Sequence, residues 1–287
     1  MNEDQLVLDI ISAIEKAETV LPDDVVNVLT NSKGKEVNPS AVSQYNSILK
    51  NVELAKTRKL PICQDTGTMT FYIDVGFDFK YTKEIKKAIL KAVPIATSKI
   101  PIRSNAVDPF NGKNMETNVG EHIPNIYWNL VEGDTAKIHL LPKGGGSENC
   151  STLAMLKPGE GIKGIKKFIV DHVIKCGGNP CPPTILGIGI GGGAELSMIL
   201  AKKSLTRKIG SRHPENRIAD LELEILDLVN KTNVGVMGYG GVTSVLDVHI
   251  EYAARHPASL PLGIVVQCWA DRRAEINISA EGRIEVI

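Results

Sequence analysis

Four polar groups that could do chemistry stand side by side in residues 61–68. They are the thiol, amide, carboxyl and hydroxyl of Cys63, Gln64, Asp65 and Thr66. Gly67 can adopt a positive φ, and residues 69–75 are largely apolar, so we predict a tight loop that leads into a strand. Loops carry functional groups more often than strands do. The alternative is a cysteine buried at a strand edge beside a turn aspartate.

Three cysteines share this setting at a strand edge beside loop residues. They are Cys63, Cys181 and Cys268. Three thiolates that converge on one point could hold an iron–sulfur cluster with one iron open to substrate, and that iron would act as a Lewis acid. The rival is structural zinc, which prefers closely spaced cysteine pairs and a fourth ligand. The separations of 118 (181 − 63) and 87 (268 − 181) residues match no compact ligand motif, so both alternatives stay open.

Two glycine-rich segments and one arginine could bind an anion. Gly144–Gly146 bare their backbone N–H groups, which suits a carboxylate or a phosphate, although a flexible loop is equally consistent. The segment Gly187–Gly193 joins a strand to a helix but matches a dinucleotide fingerprint poorly, so NAD binding is a minor alternative. Arg103 lies in a proline-bracketed loop, where its guanidinium could fork onto a carboxylate or remain a surface charge.

Composition excludes several classes of function. Among 287 residues, 33 Lys and Arg balance 33 Asp and Glu, so nothing indicates a nucleic-acid partner. No apolar run approaches the ~20 residues that a membrane helix needs, and the acidic, polar N-terminus is not a secretory one. We therefore expect a cytoplasmic protein whose five cysteines are thiols, metal ligands or catalysts rather than disulfides.

Hydrophobic periodicity predicts an α/β fold of the mixed α+β kind. Its expected parts are a helical N-terminal region (1–60), a mixed region (61–287) with a twisted sheet flanked by helices, and cluster-binding loops at strand ends, all within a single domain 1–287. The three N-terminal helices are expected at about 4–18, 23–30 and 38–54, with a loop over 31–35. Residues 123–131 and 135–141 alternate around Gly133 and predict a β-hairpin.

Hydrophobic periodicity also predicts the helices and strands of the later part of the chain. Helices are expected at 81–99, 161–175, 194–203 and 214–231. Buried strands are expected at 184–190 and 260–268, and a strand with Asp247, His249 and Glu251 on one side at 242–252. The C-terminal residues 276–286 predict a hairpin that turns near Gly282. Cys150 lies in the glycine-rich loop and Cys176 at a helix end, and neither receives a role.

Four motifs in order resemble the iron–sulfur-dependent class I fumarases and L-tartrate dehydratases. They are Cys63–Thr68, Lys143–Ser147, Cys181–Pro183 with its glycine-rich sequel, and Gln267–Arg272. The resemblance runs from about residue 5 to 287 and is closest to the α subunit of the two-subunit form. It implies a 4Fe–4S cluster on Cys63, Cys181 and Cys268.

The resemblance also implies roles for other residues. Substrate carboxylates would be bound by Gln64, Arg103 and the backbone of Gly144, Gly145 and Gly146. Asp65 and His256 would be the acid/base pair, whereas residue type alone favours a surface loop histidine for His256. The implied reaction is reversible hydration of fumarate to (S)-malate, with tartrate dehydration as the alternative. A rival of another class is an iron–sulfur redox sensor or electron carrier.

The resemblance further implies that this chain needs a partner. A dianionic substrate calls for several cations, yet Lys143, Arg272 and Arg273 are the only further candidates beside a motif, and no convincing base emerges. A β subunit would supply the missing groups in an α2β2 hetero-oligomer that acts on a small dicarboxylate.

Overall fold

The structure is a computed structural model that describes residues 2–287 and forms two compact units. Unit 1 contains the segment up to Leu21, Asn51–Gly145 and Arg272–Ile287, and unit 2 contains Pro22–Lys50 and Gly146–Asp271. The predicted mixed α/β class is confirmed, with N-terminal helices and two mixed sheets that carry flanking helices.

The helices and strands follow each other in chain order. The helices are α1 (Glu3–Thr19), α2 (Asp23–Lys35), α3 (Pro39–Arg58), α4 (Thr82–Lys99), the short α5 (Gly145–Glu148), α6 (Gly161–Cys176), α7 (Ala194–Ser204) and α8 (Asn216–Asn230). The strands are β1 (Thr68–Gly76), β2 (Asn125–Val131), β3 (Ala136–Lys143), β4 (Thr152–Leu156), β5 (Thr184–Gly192), β6 (Val245–Arg255), β7 (Leu260–Gln267), β8 (Ala274–Ile278) and β9 (Ile284–Val286). No helix within residues 2–287 has the length and apolar character to cross a membrane.

The three predicted N-terminal helices are present, but the second is longer than expected. The Asn2 side chain caps α1 by accepting the Asp4 N–H at 3.0 Å. The predicted loop over residues 31–35 is wrong, because α2 continues to Lys35. Ser32 of α2 is buried, and Lys33 and Lys35 lie in the last turn of the helix, where positive charges interact favourably with the helix dipole.

In unit 1, the sheet has the strand order β2-β1-β3-β8-β9. The predicted hairpin of β2 and β3 is therefore wrong: β1 lies between them, parallel to β2 and antiparallel to β3. The reason is burial. Phe71, Ile73 and Val75 of β1 are essentially inaccessible and need a central position, whereas most side chains of β2 are exposed, as suits an edge strand. The C-terminal hairpin of β8 and β9 is confirmed.

Helices α1 and α4 supply the apolar partners of this sheet. Leu6, Ile10 and Ile14 of α1 recur at helical spacing and are completely buried in one cluster with Ile85 and Ile89 of α4. The core of unit 1 thus fixes β1, and with it the cysteine loop that begins the strand.

In unit 2, the sheet has the order β4-β7-β5-β6, with β5 parallel to β6 and antiparallel to β7. Helix α7 packs directly on glycines of this sheet. A Cβ at Gly187, Gly189 or Gly263 would collide with the backbone of α7, so these glycines permit the close approach. Strand β4, which the sequence analysis did not predict, pairs with β7. Its side chains alternate between exposed and half-buried, which is typical of an edge.

Candidate functional site

The Asp65 carboxylate fixes the glycine-rich loop in unit 1. Its Oδ1 accepts the Gly67 N–H at 3.0 Å, and its Oδ2 accepts the Gly145 N–H at 2.8 Å. A Cβ at Gly144 would lie 2.8 Å from Oδ2, so only glycine fits there without a shift of the carboxylate. The structure therefore brings predicted acid/base and substrate-binding residues together. The Gly145 N–H is already donated to Asp65 in this conformation.

Arg103 is held by its backbone, while its side chain is exposed. Its N–H donates to Thr66 Oγ1 at 3.0 Å, and its carbonyl accepts from Asn118 Nδ2 at 2.8 Å. Asn105 Nδ2 donates to Thr66 Oγ1 at 3.1 Å and to the Gly67 carbonyl at 3.0 Å. Within residues 2–287 the guanidinium has no ion pair or hydrogen bond, so it is available to an anion.

These anchoring residues were missed from the sequence, although a signal for one of them exists. Asn118 has φ of 56°, in the left-handed region that asparagine tolerates better than most residues. Its Oδ1 accepts the Asn105 N–H at 2.6 Å. An asparagine just before Val119-Gly120 is a turn signal, but the sequence does not reveal which distant loop the side chain supports.

Helix α1 ends at a buried ion pair in unit 1. The Glu18 carboxylate lies 2.6 Å from the Arg272 guanidinium, and both side chains are almost completely buried. The Glu18 carbonyl accepts the Ile62 N–H at 2.8 Å and so ties the cysteine loop to α1. Burial raises the pKa of Glu18 to about 7 against the charge and hydrogen bond of Arg272, and the charge of Asp65 raises it further. Arg272 is thus engaged inside the protein rather than presented to a substrate.

Two predicted cluster cysteines lie in neighbouring loops of unit 2. The Trp269 N–H, just after Cys268, donates to the Cys181 carbonyl at 3.3 Å. The Cys181 N–H donates to the Gly178 carbonyl at 3.1 Å. Cys181 has φ of 54°, an unfavourable left-handed conformation for a residue with a Cβ, which persists only because the loop is anchored. The loop that carries Cys181 is therefore fixed in position.

The structure places His256 at the exposed turn after β6, beside the Gly192 end of β5, whereas Cys181 and Cys268 flank the opposite end of that strand. Its Nδ1 accepts the Ala258 N–H at 3.1 Å, and its carbonyl accepts from the Arg255 guanidinium at 3.1 Å. The Nε2 edge of the ring makes no hydrogen bond within residues 2–287. Cys63 is half-buried and Gln64 is exposed in unit 1, and Gly146 is exposed in unit 2.

The donor set suits an iron–sulfur cluster, which cysteine thiolates hold. All five cysteines are thiols, and Cys63, Cys181 and Cys268 are half-buried on loops. Cys150 is buried, and burial together with the Cys150 thiol raises the pKa of Cys176 to about 12, so that Cys176 stays protonated at neutral pH. Within residues 2–287, no group of three or more His, Cys, Asp or Glu side chains is arranged to hold a metal ion. The ligand set stays a prediction.

Comparison with known proteins identifies the family. The sequence profile of the family described as "Fumarate hydratase (Fumerase)" matches residues 8–277. A Methanocaldococcus jannaschii protein, provisionally named L(+)-tartrate dehydratase subunit alpha, is 41% identical over 283 residues, which cover 96% of this chain and 98% of the relative. The L(+)-tartrate dehydratase subunits alpha of Escherichia coli K12 and Shigella sonnei are each 36% identical over 264 residues, covering 92% of this chain and 87% of each relative.

These matches extend over nearly the whole chain, including every motif of the candidate site. The family is known to use a 4Fe–4S cluster. The relatives are named as alpha subunits, which implies a β-subunit partner. The chain belongs to the iron–sulfur hydro-lyase family of class I fumarate hydratases and tartrate dehydratases, and within it to the alpha subunits.

Proposed function

We propose that this chain is the alpha subunit of an L(+)-tartrate dehydratase. The observation that carries the proposal is the name shared by relatives that are 36–41% identical along almost their full length. Fumarate hydration, our first expectation from the sequence, becomes the second candidate, favoured by the description of the matching family. Both substrates are small dicarboxylates, so the same groups of this chain would serve either reaction.

Dehydration of a 2-hydroxy diacid removes hydroxide from one carbon and a proton from its neighbour. Hydroxide is a poor leaving group, and the C–H bond is weakly acidic. When bound by Cys63, Cys181 and Cys268, a 4Fe–4S cluster supplies the Lewis acid for the departing hydroxyl. The protein must then hold the two carboxylates and move the proton.

Arg103 is suited to hold a substrate carboxylate. Its backbone N–H is held by Thr66 and its carbonyl by Asn118, while the guanidinium is exposed. Because the backbone is anchored, the planar guanidinium can be presented in the orientation that a carboxylate requires. Gln64, exposed one residue after Cys63, adds an amide donor, and the backbone of Gly144 and Gly146 adds to the carboxylate site.

Asp65 is the proposed acid/base group within one copy of this chain, whereas His256, at the opposite end of the unit 2 sheet from Cys181 and Cys268, would serve the cluster site of another copy in the assembly. Asp65 is oriented by two backbone N–H groups, from Gly67 and Gly145, which fix its carboxylate beside the glycine-rich loop. His256 presents Nε2 while Nδ1 is engaged with its own turn. Each is thus preorganised, with one face committed to the protein, which reduces the reorganisation that proton transfer requires.

The proposal includes an α2β2 assembly with a β subunit. Arg272 is engaged with Glu18, so this chain offers fewer cations than a dianionic substrate requires. We infer that the β subunit supplies further cations and the base that abstracts the carbon-bound proton.

The test is an anaerobic assay of the reconstituted alpha–beta complex. Initial rates are measured with L(+)-tartrate, (S)-malate and fumarate, and we expect kcat/KM to be at least ~10-fold higher for tartrate. A preference for fumarate and malate would transfer the assignment to the second candidate. High turnover by this chain without its partner would contradict the divided site. A cluster-loaded complex indifferent to all three acids would favour a redox sensor.

A matched pair of variants tests the ligands separately. Cys63→Ser should abolish the visible absorption of the cluster, and Cys176→Ser should retain it, because only the first removes a proposed ligand. Equal cluster content in the two variants would refute the ligand assignment.

A further inference from the structure

Two cysteines outside the proposed site lie together in the core of unit 2. Cys150 comes two residues before β4, and Cys176 is the last residue of α6. Both belong to the same hydrophobic cluster, where Cys150 is 8% exposed and Cys176 is half-buried. The cluster-binding role leaves both thiols unused, so their proximity calls for a separate account.

Their polar contacts connect the two segments. The Cys176 Sγ lies 4.0 Å from the Cys150 carbonyl, and burial together with the neighbouring Cys150 thiol raises the pKa of Cys176. His172 Nε2 lies 2.7 Å from the same carbonyl and 3.4 Å from the Cys176 Sγ. Because a carbonyl oxygen only accepts, Nε2 carries the proton and donates to the Cys150 carbonyl, which holds the imidazole beside the Cys176 sulfur.

We propose that Cys150 and Cys176 are a modification site, at which a small-molecule disulfide oxidises the two thiols to an intramolecular disulfide. The half-buried Cys176 loses its proton and attacks the reagent, which releases one small thiol. Cys150 then attacks the mixed disulfide and releases the second. Two protein S–H bonds and the reagent S–S bond break, one protein S–S bond and two reagent S–H bonds form, and two electrons pass to the reagent.

The surroundings make this reaction selective and dependent on pH. The groups that face Cys176 are the Cys150 thiol, the His172 imidazole and Lys175. Burial raises the pKa of the Cys176 thiol to about 12, and Lys175 acts in the opposite sense. The thiolate is the attacking species, so the pair stays reduced near neutral pH in weak oxidant and closes faster as pH rises.

The experiment treats the full chain with oxidised glutathione at pH 7 and pH 9 and follows intact mass. In the peptides that contain Cys150 and Cys176 we expect loss of two hydrogen atoms without a retained adduct, up to ~100-fold faster at pH 9 because the thiolate fraction rises tenfold per pH unit. Glutathione bound to Cys63, Cys181 or Cys268 adds to the intact mass and is assigned to its own peptide. Proteolytic mapping should join the peptides that contain Cys150 and Cys176. A stable adduct on Cys176 without ring closure, or a bond from Cys176 to Cys181, would overturn the proposal.

Matched variants complete the test. Cys150→Ser should retain one glutathione on Cys176, because no second thiol resolves the mixed disulfide, and Cys150→Ala serves if the serine variant folds poorly. Closure of a disulfide at Cys176 in either variant would overturn the proposal. The readout is a mass, so the result is independent of whether tartrate is the substrate.

Discussion

Buried carboxylates have different surroundings in the two units. In unit 1, Glu18 is completely buried and has one charged partner, Arg272, at 2.6 Å. In unit 2, Asp247 is equally buried but accepts hydrogen bonds from several donors, among them Arg212 at 2.6 Å and His249 at 3.1 Å. Within residues 2–287, Oε1 of Glu18 has no hydrogen-bond partner at all.

The surroundings of Asp247 extend into a network. The Gly210 N–H donates to Asp247 Oδ2 at 2.6 Å. Glu222, also completely buried, accepts from the Arg207 guanidinium at 2.7 Å and from the backbone N–H groups of Ile250 and His213 at 2.8 and 3.1 Å. Strand β6 is thus connected to the loop after α7 and to helix α8 by satisfied polar contacts.

The contrast shows that burial alone does not decide the charge state of a carboxyl group. Burial opposes ionisation of both. At Asp247 the hydrogen bond and charge of His249, the Gly210 N–H and Arg212 outweigh burial, so its pKa lies below the ordinary value. At Glu18 the single arginine does not outweigh burial, so the pKa rises to about 7. Donor number accounts for the difference.

The largest expected effect is from removing the centre of the unit 2 network. Asp247→Ala should lower the free energy of unfolding by about 3 kcal/mol, because it removes the acceptor of the completely buried His249 ring and of the half-buried Arg212 guanidinium. Denaturant-induced unfolding measures it. The control is Asp227→Ala, which removes a largely exposed carboxylate and should change stability by less than ~0.5 kcal/mol. A loss below ~1 kcal/mol at Asp247 would remove the basis of the comparison.

Breaking the ion pair of unit 1 should have an effect of similar size that can be reversed. Arg272→Met should cost about 3 kcal/mol, because Glu18 stays buried without a countercharge and must take up a proton. The double variant Glu18→Leu/Arg272→Met should recover most of that loss, since an apolar pair needs no desolvation of charge. If the two single losses simply added in the double variant, the two side chains would not be energetically coupled.

The pH dependence of stability should have opposite signs at the two sites. The folded pKa of Glu18 exceeds its ordinary 4.5, so its contribution is fully present below pH 4.5 and is lost as pH rises through about 7. That loss is on the order of 3 kcal/mol at most. The folded pKa of Asp247 is lowered, so its contribution is present above the ordinary 3.8 and lost as pH falls through the folded value.

Unfolding measured from pH 4 to pH 8 tests the Glu18 contribution. Glu18→Gln, which resembles the protonated side chain, should flatten the pH dependence between 4.5 and 7. An identical pH profile in the wild type and in this variant would show that Glu18 does not titrate in that range.

The sequence predicted what depends on periodicity and local turn signals. Helices with an apolar face, such as α1 and α4, and the strand after the cysteine loop lie where expected. Strand pairing was less predictable: Gly133 marks a turn between β2 and β3, but the pattern does not reveal that β1 inserts between them. That choice depends on which strand has the most apolar surface to bury, a comparison across the whole sheet.

The candidate site was predictable where residue type suffices and unpredictable where partners come from distant segments. The cysteines and Asp65 stand out in their motifs, whereas no local pattern pairs Glu18 with Arg272, 254 positions apart. The anchoring of Arg103 through Thr66 joins residues 37 positions apart. Such pairs form only after the core has placed their elements, so they are consequences of tertiary structure.

The substitution that we expect to change stability least is Gly144→Ala, beside Asp65. Like Asp247, this unit 1 carboxylate accepts hydrogen bonds from backbone N–H groups. In Gly144→Ala, the new Cβ would lie 2.8 Å from Asp65 Oδ2, but the carboxylate can rotate away, so we expect a loss of only about 1 kcal/mol. In the control Gly145→Ala, the nearest side-chain atom is 3.9 Å away. If Asp65 takes part in proton transfer, its displacement should lower kcat of the reconstituted complex at least ~10-fold in the first variant and not in the second. Equal kcat in the two variants, with cluster content verified by absorption, would limit Asp65 to holding the glycine-rich loop.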